Sequence, residues 1–180
     1  MSDFQKAYIH SFSLNPATDK EFFSYINDVY FTDEIQGMSQ YPQHGAIDRL
    51  QHITSVSYVS YILAKKYGAD LRQTLRGAVL HDLFYYDWHI AGDGSHRLHG
   101  YRHPGFALKN AEKLCDDLTG IEKNIIYRHM WPLTPTPPKY KESFIVSMAD
   151  KYCAFQEVLL SRIPSYADKF PLLANNNFAK

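Results

Sequence analysis

The stretch Gly77-Ala78-Val79-Leu80-His81-Asp82-Leu83 constrains the fold more than any other. It is an apolar segment with helical spacing, and it carries a histidine and an aspartate side by side where the segment enters the core. Burying either side chain unpaired costs several kcal/mol, so the pair needs a partner inside the protein. A metal ion satisfies both at once, because imidazole nitrogen and carboxylate oxygen can each donate to the same cation. Gly77 and Ala78 lie one turn earlier, where small side chains leave room for an ion. Chance supplies many His-Asp dipeptides, so the other candidate ligands decide the matter.

The flanking chain reads as helix. Asp48 caps a helix running to Gly68, with Ile53, Val56, Val59, Ile62 and Leu63 at three- and four-residue steps. His52 borders that apolar stripe. Asp70 caps the next helix, which leads through Leu71, Leu75 and Val79 to the His81-Asp82 pair. Upstream, residues 1–14 pack loosely, Asn15-Pro16 starts a helix through Phe22 to Tyr30, and residues 36–47 are loop. Downstream, residues 84–103 form a long loop, a length more often functional than structural. His103-Pro104 then opens a helix with Phe106, Leu108, Ala111 and Leu114 as its stripe. Thr119 and Glu122 form a capping box for a short helix through Ile125, Ile126 and His129. Residues 131–138, with four prolines, cannot be helical. A last long helix runs from about Tyr140 to Arg162, apolar nearly all round from Phe144 to Phe155, as a helix covered on every side should be. Asp150 sits within it and needs a cation. No strand signal appears, and the expected fold is all-α: a compact single-domain helical bundle over 1–180. Residues 1–47 form an N-terminal helical extension and 163–180 a tail.

Composition narrows the partners. Nineteen basic residues balance nineteen acidic ones, so no basic field exists to hold a nucleic-acid polymer. No charged-then-apolar leader opens the chain and no run is long enough to span a bilayer, so no membrane partner is expected and the location reads as cytoplasmic. Cys115 and Cys153 match no zinc spacing and read as buried thiols. The oligomeric state is not legible.

Five separated points thus ask for a buried partner: His52, His81-Asp82, His103, His129 and Asp150. Their spacing is too wide for a local finger, so helix packing must bring them together. The order His, His-Asp, His, His, Asp over about residues 48–155 resembles the HD-domain superfamily of metal-dependent phosphohydrolases, in its dinuclear form. The resemblance implies that His52, His81 and Asp150 hold one metal, His103 and His129 the other, and that the Asp82 carboxylate bridges them. It implies two divalent transition-metal ions, Fe, Mn, Co, Ni or Zn, about 3.5–4 Å apart. It further implies hydrolysis of a small phosphate ester, such as a nucleotide or dinucleotide, by attack of a metal-bridged hydroxide, with Asp82 among the catalytic residues. The same scaffold supports di-iron oxygenases, the alternative activity, and a structural metal in a binding module is a third.

Many dinuclear members carry a lysine three residues after the motif aspartate, where this chain has Tyr85. The phosphate-binding cation must come from elsewhere. Arg49 and Lys151 are the catalytic candidates, Arg49 resembling an arginine often found one turn before the first histidine. Arg102 and Arg128 are weaker ones, and for any of them a surface ion pair is the plain alternative. His99 or His96 could replace His103 if the helix begins earlier. His10 and His44 read as surface residues, and His89 either lines the pocket or sits on an aromatic loop. Phe84, Tyr85, Tyr86 and Trp88 form either a core plug or a stacking platform, and Trp131 with its prolines could form a lip.

Overall fold

The computed structural model describes residues 1–45, 47–90 and 98–163, so the tail beyond 163 and His96 lie outside the described residues. The chain is mostly helical, and its centre is α5 (Arg49–Tyr67), packed against α6 (Leu71–Leu80), α9 (Lys141–Arg162) and α1 (Asp3–His10). α8 (Gly120–Arg128) lies against α6 and α9, and α7 (His99–Leu114) against α8. Among the described residues no helix is long and apolar enough to cross a membrane.

The helix starts follow capping chemistry. Asp48 accepts from the Gln51 N–H at 2.8 Å, and Asp70 from the Gln73 N–H at 2.9 Å. Gly68, at φ +61°, ends α5 in the left-handed conformation that glycine adopts without strain. Thr119 and Glu122 close the expected capping box on α8. Ile53, Val79, Leu80 and Ile126 meet in one apolar cluster, and Val56, Ala78, Ile125 and Val146 in a second.

Several expectations are corrected. Residues 1–14 are not loose: Ser2 and Gln5 form a capping box on α1, which buries Ala7 and Tyr8. The single helix expected after Asn15-Pro16 is two short ones, α2 (Lys20–Ser24) and α3 (Asn27–Tyr30). The Asn15 side chain instead accepts from the Ala17 N–H, closing a turn. Within residues 36–47 lie α4 (Asp33–Gln36) at its edge, a 3₁₀ turn (Gly37–Gln40) and a small antiparallel hairpin, β1 (Pro42–His44) with β2 (Ile47–Asp48). Gly45 at φ +63° turns this hairpin so close to α9 that a Cβ there would lie 2.3 Å from the Ser161 Cβ. α7 starts at His99, not at His103-Pro104, and carries Pro104 inside its second turn. The space above Gly77 is not kept for an ion; the Ile125 side chain of α8 fills it. α9 is not covered on every side: Phe144, Met148 and Phe155 are 40%, 54% and 60% exposed.

Candidate metal centre

All six expected ligands converge. α5 contributes His52, the C-terminal turn of α6 contributes His81 and Asp82, α7 contributes His103, the end of α8 contributes His129, and α9 contributes Asp150. Each is buried. Asp82 stands between two groups. Its Oδ2 lies 3.9 Å from His52 Nε2 and 3.7 Å from His81 Nε2, while Asp150 Oδ1 lies 3.3 Å from His52 Nε2 and 3.9 Å from His81 Nε2. Its Oδ1 faces the other way, 3.2 Å from His103 Nε2 and 3.5 Å from His129 Nε2. Ligand atoms ~2.0–2.2 Å from a common ion lie roughly 3–3.6 Å apart; the 3.2, 3.3 and 3.5 Å spacings fall in that range and the 3.7 and 3.9 Å ones are slightly wider.

The imidazoles are oriented from behind. His81 Nδ1 lies 2.7 Å from the Ala78 carbonyl, His103 Nδ1 3.0 Å from that of His99, and His129 Nδ1 2.8 Å from that of Ile126. A carbonyl only accepts, so each Nδ1 carries the proton and each Nε2 turns a lone pair inward. The consequence is sharpest between His103 and His129, whose Nε2 atoms stand 2.8 Å apart. Two lone pairs at that distance require a proton or a cation between or beside them. His52 Nε2, His81 Nε2 and Asp82 Oδ1 are buried without a hydrogen-bond partner among the described residues. Buried lone pairs left without a partner in this way could hold an ion.

Charge points the same way. Burial pushes the Asp82 carboxyl up, but His81, His103 and His129 outweigh it and hold it well below the usual range. Asp150 is likewise held down against burial by His52, Lys151 and His81. Burial, with His81 and His103 beside it, pushes His129 down to about 3, the neutral form a metal needs. His52 is the exception: burial lowers it, yet Glu157 and Asp150 raise it well above its ordinary value. A proton on His52 and a metal ion are therefore competing sources of the positive charge these carboxylates require.

The flanking candidates separate. Lys151 lines the cleft above the ligands, its Nζ donating to the His129 carbonyl at 2.6 Å and to Asp150 Oδ2 at 3.3 Å. Arg49 does not line it. Its guanidinium is buried, stacks 3.5 Å from the Phe84 ring, and donates to Gln43 Oε1 and to the carbonyls of Phe84 and Tyr86. Gln43 in turn donates to Asp82 Oδ2 at 2.8 Å. The phosphate contact expected of Arg49 is thus corrected to a positioning role, because its donors are spent on the loop that follows the ligand pair. Arg102 and Arg128 lie over the rings of Phe106 and Tyr127 and do not line the cleft. Tyr85 opens into a separate groove with Lys109 and Lys113. His103, and not His99, faces Asp82; His99 stacks on it one turn earlier.

Three residues escape the sequence reading. Glu157 is fully buried and holds His52 Nδ1 with both oxygens at 2.9 Å. A carboxylate two turns past Asp150, on an apolar helix, was a signal of the same kind as Asp150 itself. Gln43 and His44 sit on β1, too short to leave a periodic pattern. His44 is half-buried in the cleft wall, its ring 5.6 Å from that of His52, and not the surface residue expected. The described residues thus hold clustered His, Asp and Glu side chains able to bind metal, in three overlapping groups that include His44, His52 and Glu157. No protein-family model, no curated protein and no solved structure matches the chain.

Proposed function

We propose that the chain is a metal-dependent phosphohydrolase of the HD-domain type, holding two divalent transition-metal ions (Fe, Mn, Co, Ni or Zn) and cleaving a small phosphate ester. One observation carries this reading: the two oxygens of Asp82 face two different ligand sets, His52, His81 and Asp150 on one side and His103 and His129 on the other. A single structural ion has no use for a carboxylate divided in this way. When bound, an ion pair supplies an acidified water and positive charge for phosphoryl oxygens.

The chain's own residues do the rest. Three backbone carbonyls and Glu157 fix the imidazoles, so little reorganisation accompanies binding. Arg49 and Gln43 hold Asp82 in register. Lys151 stands at the cleft wall, where its ammonium meets phosphoryl oxygens. The cleft, about 600 Å³, has the size of a small-molecule site.

The test is to express the protein without added metal, measure its metal content, and assay phosphomonoesters and phosphodiesters with Mn or Fe restored. The expected result is about two ions per chain and turnover, with Asp82→Ala losing both while its circular dichroism stays helical. Two bound ions with no turnover of any ester would overturn the reading. Oxygen uptake by the same protein would favour the di-iron oxygenase alternative instead.

A further inference from the structure

The cleft over the ligands has an uneven character. Toward its floor it exposes Asp82, His103, His129 and Asp150; its rim is built by Trp88, Met130, Pro132 and Leu133. Among the described residues that line it, Lys151 is the one lysine or arginine, and it is already bonded to the His129 carbonyl and Asp150. Leu133 folds over the first turn of α7, so close to Gly100 that a Cβ there would lie 2.7 Å from its Cδ2. The rings that line the cleft form a stacked column. Trp88 lies parallel to His99 at 5.2 Å and 8°, and His99 to His103 at 4.5 Å and 17°. A column of stacked rings presents edges along its length, and ring edges are the positive part of the aromatic quadrupole. The Trp88 indole N–H is buried and has no acceptor among the described residues.

These features decide what a substrate can carry. Two divalent ions, less the charges of Asp82 and Asp150, plus Lys151, leave about three positive charges. One phosphoryl group, a dianion, matches that supply together with a hydroxide. A second and third phosphate would have to lie along Met130, Pro132 and Leu133, whose side chains offer no hydrogen-bond donor, so their desolvation goes uncompensated there. An aromatic body suits the same rim. Its π face meets ring edges, its far side meets apolar side chains, and Met130 adapts to its outline.

We propose that the site takes phosphomonoesters of aromatic alcohols, one phosphoryl group on the ligand nest and the ring against the Trp88–His99 edge, and turns away polyphosphates. This rests on the phosphohydrolase reading above. The reaction it specifies is hydrolysis: the oxygen of water bonds to phosphorus, the ester P–O bond breaks, and a proton from that water passes to the departing alcohol.

The experiment compares kcat/KM for benzyl phosphate, glycerol 2-phosphate and ATP on metal-loaded protein. Benzyl alcohol and glycerol are comparable leaving groups, so the first comparison reads the organic body and the third substrate reads phosphate number. Benzyl phosphate is expected to exceed each of the others at least tenfold. Leu133→Asp is expected to remove most of that preference through KM, with the ion content unchanged by elemental analysis. Equal turnover of all three, or preference for ATP, would overturn this specificity and leave the phosphohydrolase standing. No turnover of any, with two ions bound, would remove both.

Discussion

At the scale of single residues, the outer partners decide how the ligands behave. Glu157 is the strongest case, because it is fully buried and its only described polar contact is the His52 Nδ1. Its charge raises the basicity of His52, and its position fixes the ring. Glu157→Gln keeps an acceptor but removes the charge, so metal affinity on the His52 side is expected to fall roughly 10–100-fold. Glu157→Ala also strands a buried N–H and should lower thermal stability as well. Chelator-competition titration of both variants separates the two effects: equal affinity of Glu157→Gln and the parent would show that the carboxylate does not act through His52. The six candidate ligands were legible in the sequence because histidines and aspartates on or beside apolar stripes are costly without a partner, and because their order resembles the HD-domain pattern. Glu157 meets the same criterion less visibly, because it lies beyond the apolar stretch that ends at Phe155. Arg49 was legible as important but not in its role, which depends on carbonyls of Phe84 and Tyr86 that only the folded loop brings near.

At the scale of elements, helices with long stripes and capping side chains were readable, and elements fixed by tertiary contacts were not. α5, α6 and α8 begin where the side chains of Asp48, Asp70 and Thr119 cap them, and α9 follows Tyr140 without a side-chain cap. The hairpin of β1 and β2 has too few residues for a period and is held by its contact with α9. Pro104 concealed the first turn of α7: a proline in the sixth helical position forfeits one bond to the Gly100 carbonyl without ending the helix, so the expected boundary fell too late. Gly77 shows how an element contact sets the site. A Cβ there would lie 2.6 Å from Ile125 Cδ1 and 3.0 Å from its Cβ, so α6 and α8 approach only because the position lacks one. Alanine is the better helix former by about 1 kcal/mol, yet overpacking costs ~1–3 kcal/mol. Gly77→Ala is therefore expected to destabilise the fold in urea unfolding and to weaken metal binding, since His81 and His129 cap these two helices. Ile125→Val removes the nearest carbon, and the double variant should recover part of the loss. Additive losses would show that the two positions do not share this contact.

At the scale of the whole molecule, five helices each bring a candidate ligand to one point, so on the proposed reading ion binding and folding are linked. A ligand that binds only the folded chain adds stability, about 2.7 kcal/mol at a hundred times its dissociation constant. Removing metal with a chelator is expected to lower the Tm by several degrees, and the size of that drop should depend on pH in a determinate direction. In the chelated protein His52 is held protonated against burial by Glu157 and Asp150, with its value raised well above the ordinary one. A raised value in the folded state contributes stability that is complete below the ordinary histidine range and is lost as pH rises through the folded value. Metal has the opposite dependence, because it must displace that proton: its affinity should fall about tenfold for each unit of acidification while one proton is released. His129, pushed down to about 3 by burial and by His81 and His103, stays neutral from pH 5 to 8 and adds nothing to this slope. The gap in Tm between metal-loaded and chelated protein is thus expected to widen from pH 6 to pH 8. Calorimetric titration of metal in buffers of different ionisation enthalpy should find about one proton released per chain at pH 7. A gap that stays constant across that range, with no proton released, would mean that His52 does not surrender a proton to the ion and that the nest is assembled around some other charge.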